Sequence, residues 1–282
     1  MSSLMKYTGL IVFSSLIVPL GLKNTAKAAD AITQVGGSGE SQPGFDPERF
    51  DGFRGALHKW QVVVGGGAMY APKFEGSKDY EVLPVPFISA TFGDFVQIDP
   101  RGVLVDLYQA DKFTISAKGG YELGRDEKDS DHLEGLGDVD AGGVLGGVVS
   151  YELGPMEFKA GIDKTIGGSE GLTGTFGAEI SHTWERFIFS AGVSTTWADK
   201  KHMKSYFGVT ADQSARSGLD VYEAGAGFKR VDLSASVTYM ASENWFVRGE
   251  AELGILLGDA KDSPVVEKDT QPSVMMVVGY KF

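Results

Sequence analysis

From residue 60 onward apolar side chains recur at every second position over short segments, and polar turn residues separate one segment from the next. That is the pattern of β-strands with two unlike faces. Trp60, Val62, Val64, Gly66, Ala68 and Tyr70 share the first apolar face, with an aromatic at each end. Phe187, Phe189, Ala191, Val193, Thr195 and Trp197 oppose Ile188, Ser190, Gly192, Ser194 and Thr196. Val231, Leu233, Ala235, Val237 and Tyr239 oppose Asp232, Ser234, Ser236 and Thr238. Trp245, Val247, Ala251, Leu253 and Ile255 oppose Arg248, Glu250 and Glu252. In the last segment Phe282, Tyr280, Val278, Met276 and Val274 form one wholly apolar face, so this strand must pair with something earlier in the chain.

Charged side chains at mid-strand are hard to place in a soluble core. They suit a polar lumen, and aromatics at the ends of apolar faces suit membrane interfaces. The pattern predicts an all-β transmembrane antiparallel β-barrel; the competing reading is a soluble β-sandwich. Twelve segments are visible: 60–70, 83–92, 95–108, 113–123, 139–153, 158–166, 172–184, 187–197, 222–228, 231–239, 245–255 and 274–282. Pro84 and Pro86 make the second of them edge-like or irregular. Long connections at 71–79, 125–138, 199–218 and 257–272 should all lie on one side, yet twelve segments put the second and third on the wrong one. Splitting 95–108 at Pro100-Arg101 and adding Ser205 to Val209 gives fourteen strands and restores the order. Twelve is the central expectation, within ten to fourteen.

The amino terminus carries Lys6, an apolar run from Leu10 to Leu22 closed by Pro19 and Gly21, and Ala26-Lys27-Ala28. This reads as a Sec signal peptide over 1–28, cut after Ala28; a retained anchor is the alternative, and the run is short for one. Residues 29–57, rich in Gly, Ser, Gln, Pro and Asp, read as a flexible periplasmic arm, leaving 58–282 for the barrel.

Composition agrees with an all-β chain: 39 Gly and 17 Phe in 282 residues. A mean hydropathy of −0.07 fits either a membrane barrel or a secreted protein. The net charge is −12, and losing the three leader lysines would leave −15. Such acidity argues against a nucleic-acid partner. No cysteine is present, so neither a lipoprotein acylation site nor a disulfide framework exists.

Candidate chemistry is sparse. Gly167-Gly168-Ser169-Glu170-Gly171 fits G-x-S-x-G, but a strand-like segment follows where a nucleophile elbow needs a helix. His58, His132, His182 and His202 lack metal-ligand spacing; His182 and His202 with Asp199 form only a remote catalytic candidate. No enzyme activity, cofactor or metal site is expected. Asp126, Glu127, Asp129, Asp131, Glu134, Asp138 and Asp140 crowd one loop, either as solvated charge or as a cation bridge to lipopolysaccharide phosphate. Lys118, Glu122, Arg248, Glu250 and Glu252 are candidate lumen residues. In an open barrel they set selectivity, and in a plugged one they pair as structural salt bridges.

Several stretches carry a family resemblance: GGGAMYAPKFEGSKDYEVLPVPFISATFGD (65–94), GYELGRDEKDSDHLEGLGDVDAGGVLG (120–146), IGGSEGLTG (166–174), MKSYFGV (203–209), LLGDAKDSPVV (256–266) and the terminal YKF. In this order they resemble the MipA/OmpV family of outer-membrane proteins, the MltA-interacting proteins. The resemblance implies a barrel in the bacterial outer membrane, in contact with its lipid and lipopolysaccharide. It also implies a scaffold joining a lytic murein transglycosylase to a murein synthase. Other relatives are described as osmotic-response porins, adhesins or antibiotic-entry proteins, so a porin-like passive channel for small, cationic solutes stays open as the alternative. The final strand resembles the signal read by the barrel-insertion machinery, with Tyr280 and Phe282 as its aromatics. The resemblance supplies no catalytic residues.

Overall fold

The computed structural model describes residues 61–93 and 95–282. The expected leader (1–28) and arm (29–57), with His58 and Trp60, lie outside the described residues. Among those described, twelve strands hydrogen-bond in sequence order into a closed antiparallel barrel, with the last pairing back onto the first. They are β1 (Gln61–Pro72), β2 (Tyr80–Phe92), β3 (Val96–Asp99), β4 (Gly102–Ala110), β5 (Phe113–Glu122) and β6 (Gly142–Leu153). The second half comprises β7 (Met156–Gly167), β8 (Leu172–Trp184), β9 (Phe187–Ala198), β10 (Gly227–Met240), β11 (Trp245–Leu256) and β12 (Thr270–Lys281). Closure is made by eight register pairs between β1 and β12, from Val63↔Lys281 to Tyr70↔Val274.

The count matches the sequence reading, but the segmentation differs in two places that cancel. The 95–108 segment breaks at Pro100 and Arg101 into β3 and β4. Proline cannot donate to a ladder, and Gly102 takes a φ of 143°, so the chain reverses there. Of the expected 222–228 strand only Gly227 and Phe228 are extended in the sheet, and they run on into 231–239 as β10 through a bulge between Phe228 and Arg230; 222–226 belong to the preceding connection. A bulge shifts the alternation by one position, which reads along the chain as a break. The stretch Ser205 to Val209 is not a strand: it holds the end of a helix and one isolated bridge, Val209↔Tyr222. With this segmentation all four long connections, 73–79, 123–141, 199–226 and 257–269, follow odd-numbered strands and share one end. The other end carries short turns such as Asp111–Lys112, Gly154–Pro155 and Glu185–Arg186.

One face of the wall is apolar and open. Val82, Ile88, Leu107, Leu145, Ile166 and Met276 each expose between 58% and 68% of their surface. A sheet in water does not present so continuous an apolar belt; in a bilayer it is the face against hydrocarbon. Aromatics bracket the belt. Tyr280 meets Trp245 and Phe282 edge-on at 5.1 and 4.8 Å near the short-turn end, and Tyr70 stacks on Tyr80 at 5.0 Å near the long-loop end. No helix among the described residues is long and apolar enough to cross a membrane; the strands do so.

The wall is uneven at one join. β2 pairs with β1 from Tyr80 to Thr91, but with the four-residue β3 only at Ala90, Thr91 and Phe92. From Tyr80 to Ser89 the strand carrying Pro84 and Pro86 is therefore an edge on one side, as its prolines predict.

Candidate functional site: a charged lumen beneath a packed loop cap

The four long connections fold against one another rather than into water. Helix α1 (Lys200–Phe207) starts at Asp199, whose carboxylate accepts from the His202 backbone N–H at 2.9 Å, and buries His202, Met203 and Phe207. Phe207 and Met203 pack with Ala198, Ala224 and Ala260, the last from the short helix α3 (Gly258–Lys261). A second apolar cluster joins Phe74, Leu133, Leu136, Val209 and Val265, one or more from each connection. Between them α2 (Ala211–Ser217) is held by a Thr210–Gln213 capping box, and Gln213 Nε2 donates to Leu136 O at 2.5 Å.

Gln271, 2% exposed at the top of β12, clamps two connections: its Oε1 accepts from Gly76 N at 3.1 Å, and its Nε2 donates to Ser77 O and Lys268 O. His132 Nε2 lies 3.1 Å from Pro264 O, and Lys78 pairs with Glu267 at 2.8 Å. Burial would raise the Glu267 carboxyl, but Lys78 and His132 outweigh it and hold it below its ordinary value. The result is a lid with its own small core.

Directly beneath lies an ionic cluster. The β10 bulge brings the adjacent Lys229 and Arg230 onto one carboxylate, Glu75 of the first connection, at 2.8 and 3.8 Å. Arg230 also pairs with Asp232, and its Nη2 donates to Glu252 Oε1 at 2.8 Å. Its guanidinium lies across Gly254, where any Cβ would collide with it. Arg230, Asp232 and Glu252 are 6%, 3% and 4% exposed, so water scarcely reaches this end of the lumen. For Glu75, burial again favours the acid, but Lys229 and Arg230 prevail and lower its pKa.

A second buried set flanks the first. Glu122 accepts from Ser169 Oγ at 2.8 Å and lies 3.5 Å from His202 Nδ1. The His202 ring stays neutral: burial, helped by the Lys229 charge, lowers its pKa to about 3. Neither ring nitrogen has a hydrogen-bond partner among the described residues. The ring contacts Tyr206 at 4.8 Å, whose hydroxyl is pushed up by burial and then by Glu122. Arg125 Nη1 donates to Tyr206 O at 2.8 Å.

Lower in the barrel the residues singled out by sequence sit on the face opposite the lipid-facing one. Lys118 reaches across β6 to Asp163 at 2.6 Å, over Gly146, whose Cβ would occupy the position of the Asp163 carboxylate. Arg248 grips Glu250 with two donors, at 2.8 and 3.1 Å, and reaches Thr238 at 3.3 Å. Glu252 belongs to the Arg230 cluster.

The acidic loop is put to local use. Asp126 and Asp129 form a capping box around a 3-10 turn, and Ser130 caps the next one, which begins at Asp131. Asp138 accepts from Glu127 N, and Glu127 from Gly135 N and Gly137 N. Asp140 lies two residues before the Gly-rich start of β6. Among the described residues no three His, Asp or Glu groups converge as a metal cage. Ser169 sits in the strand–loop–strand turn between β7 and β8, and His182, exposed near the short-turn end of β8, is far along the strand from the capped end that holds His202. Tyr280 and Phe282 close the barrel seam, with Phe282 N donating to Val62 O at 2.9 Å.

Sequence reasoning missed Glu75, Lys229 and Arg230. Glu75 lies in a polar loop, and the two cations fall where the bulge mimics a turn.

Residues 64–282 match the family described as MltA-interacting protein MipA. The chain is similar to the proteins named MltA-interacting protein of Escherichia coli (strain K12) and of Shigella flexneri. Each is 28% identical over 119 residues, 42% of this chain and 47% of the relative, so the match spans about half the length of these relatives. Similar solved structures include the NanC porin, with TM-score 0.42 and 10% identity over 78% of this chain and 100% of that one. OprD of Pseudomonas aeruginosa gives 0.35 and 10% over 79% and 59%, and the NalP translocator domain of Neisseria meningitidis 0.40 and 11% over 83% and 94%.

Two outcomes follow from this geometry. Arg230→Met leaves Glu75, Asp232 and Glu252 without their shared cation, and should cost about 3–5 kcal/mol in denaturant unfolding, as breaking a buried pair does. Arg248→Met, at a side chain 27% exposed against 7% for Arg230, should cost clearly less; equal losses would contradict the assignment.

Acid should loosen the lid. With the His202 pKa depressed, an opened lid binds a proton that the closed one refuses, so closure weakens as pH falls from 6.5 toward 3. One proton corresponds to about 1.4 kcal/mol per pH unit. Glu75 and Glu267, lowered when folded, add to the loss below their ordinary 4.5. Amide protection of 200–207, corrected for intrinsic exchange, should fall over this range, and His202→Gln should flatten its upper part.

Proposed function

This chain belongs to the MltA-interacting protein MipA family, and from that premise we propose that it is a non-enzymatic scaffold of the bacterial outer membrane. Its partners in this reading are a murein transglycosylase of the MltA type and, as the family resemblance implies, a murein synthase. The observation that carries the reading is the outer mouth: four connections pack into a lid over a buried ionic cluster. In bacterial outer-membrane barrels the short turns face the periplasm. The surface left for periplasmic partners is then the ring of short turns, with exposed Asp111, Lys112, Glu185 and Arg186. A cleaved leader over 1–28 and a periplasmic arm over 29–57 extend this proposal, with the arm adding reach on the same side. Tyr280 and Phe282 serve as the terminal aromatics for insertion.

A passive route for small cations is the second reading. On the strand faces opposite lipid, Glu157, Asp163, Glu179, Asp232, Glu250 and Glu252 outnumber Lys159, Lys229, Arg230 and Arg248 over β7 to β11. A lumen of that balance favours cations wherever water enters it.

Binding of a purified MltA-type transglycosylase to the refolded full chain in nanodiscs tests the scaffold. Charge reversal in the turns, Lys112→Glu with Arg186→Glu, should weaken binding at least tenfold, whereas Lys200→Glu in the lid should leave it unchanged. Absence of binding by the unaltered chain, or loss only through the lid variant, sinks the proposal.

A further inference from the structure

The unpaired side of β2 is specified in atomic terms. Phe282 N donates to Val62 O, and Lys73 N to Asp79 O. Even-numbered residues of β1 therefore turn their backbone groups toward β12 and odd-numbered ones toward β2. By register, Leu83, Val85, Phe87 and Ser89 bond to β1, while Val82, Pro84, Pro86, Ile88 and Ala90 point their backbone groups the other way. Ala90 meets Ile98 of β3, and the four residues above it meet no strand among the described residues.

Two of those four are prolines, which have no N–H to offer. Proline on an open edge blocks further strand pairing, so a protein strand is a poor occupant here. The neighbouring β3–β4 hairpin stops at Pro100 and Arg101, its tip fastened by the Tyr121 hydroxyl donating to Pro100 O. Beyond that tip β2 continues to Tyr80 and β5 to Glu122, leaving a gap in the wall toward the capped end.

The surfaces on either side of the gap are alike. Outside, Val82, Ile88 and Tyr121 are exposed at 68%, 60% and 49%, so the lipid-facing belt runs up to its edge. Inside, Leu83, Val85 and Phe87 of β2 and Leu104 of β4 are only half-buried. Most of the lumen's charges lie on β7 to β11; on the near side are Glu81 at the top of β2, Asp106 on β4, and Lys118 and Glu122 on β5. Between the Asp99–Arg101 pair at the hairpin tip and Glu81 at the top of β2, apolar surface runs from the lipid belt over Val82 to Phe87 onto the inner wall. A hydrocarbon chain makes no hydrogen-bonding demand of its own, and the two prolines face it with no unpaired N–H, leaving only their carbonyls.

We propose that the gap between β2 and the β3–β4 hairpin is a lateral window admitting a hydrocarbon chain of an outer-leaflet lipid to the apolar inner wall of β2. This goes beyond the scaffold reading and does not depend on it.

The chain has no cysteine, so single cysteines can be labelled uniquely. Val85→Cys, Val82→Cys and Ser234→Cys, each carrying a bimane fluorophore, would be refolded as full chains into phosphatidylcholine vesicles containing chain-nitroxide phosphatidylcholine. Val82 is the lipid-facing reference, and Ser234, inward on β10, sets the quenching felt through the wall. Quenching at position 85 of at least twice that at 234 is expected. A smaller ratio, with position 82 strongly quenched, overturns the window. Should Val85→Cys fail to fold, as judged by heat-modifiable mobility, Phe87→Cys carries the same criterion.

Discussion

The structure rests on one requirement: inside a bilayer each backbone N–H and C=O must find a partner within the protein. Twelve strands meet it by closing, and the seam between β1 and β12 is where the requirement is completed. The wholly apolar face of the last strand, ending in Tyr280 and Phe282, follows from that position. It is lipid-facing along its length and ends in side chains suited to the interface. Where the ladder is incomplete, beside β2, two prolines reduce the number of donors left over. The short β3–β4 hairpin and the prolines thus belong to one solution.

Closure also creates an inside that must be filled or wetted, and the two ends differ. At the long-loop end a lid with two small apolar clusters excludes water, which obliges every charge beneath it to be paired. Arg230 carries most of that duty, serving Glu75, Asp232 and Glu252 at once. Glu75 comes from the lid and Arg230 from the wall, so the cluster fastens one to the other. The neutral His202 shows the same constraint applied to a group without a counter-charge strong enough to keep its proton. Lower down, where Lys118, Asp163 and Arg248 are partly exposed, Lys118–Asp163 and Arg248–Glu250 are simpler pairs.

Much of this was legible in the sequence because a strand's alternation is local. The face of Phe187 to Trp197, the opposed charges of β11 and the proline-marked edge of β2 could all be read from neighbours two positions apart. The errors came where local reading fails. A bulge at Phe228/Arg230 breaks the alternation without ending the strand, and a turn at Pro100–Arg101 ends it with little change in polarity. The cluster was half legible: Glu252 stood out on a strand face, but its relation to Glu75 did not. Lys229 and Glu75 are 154 positions apart, and Gly76 and Gln271 are 195 apart. No periodicity marks such partners; only the order in which the barrel closes brings them together.

The central claim is that packed connections and paired charges stop the outer mouth of this barrel. Single-channel recording of the refolded chain in a planar bilayer at neutral pH tests it most directly. The account predicts a silent barrel, with β-sheet circular dichroism confirming that it has folded. Reproducible cation-selective steps, diminished by Glu250→Gln with Glu252→Gln, would contradict it and make those carboxylates the lining of an open pore.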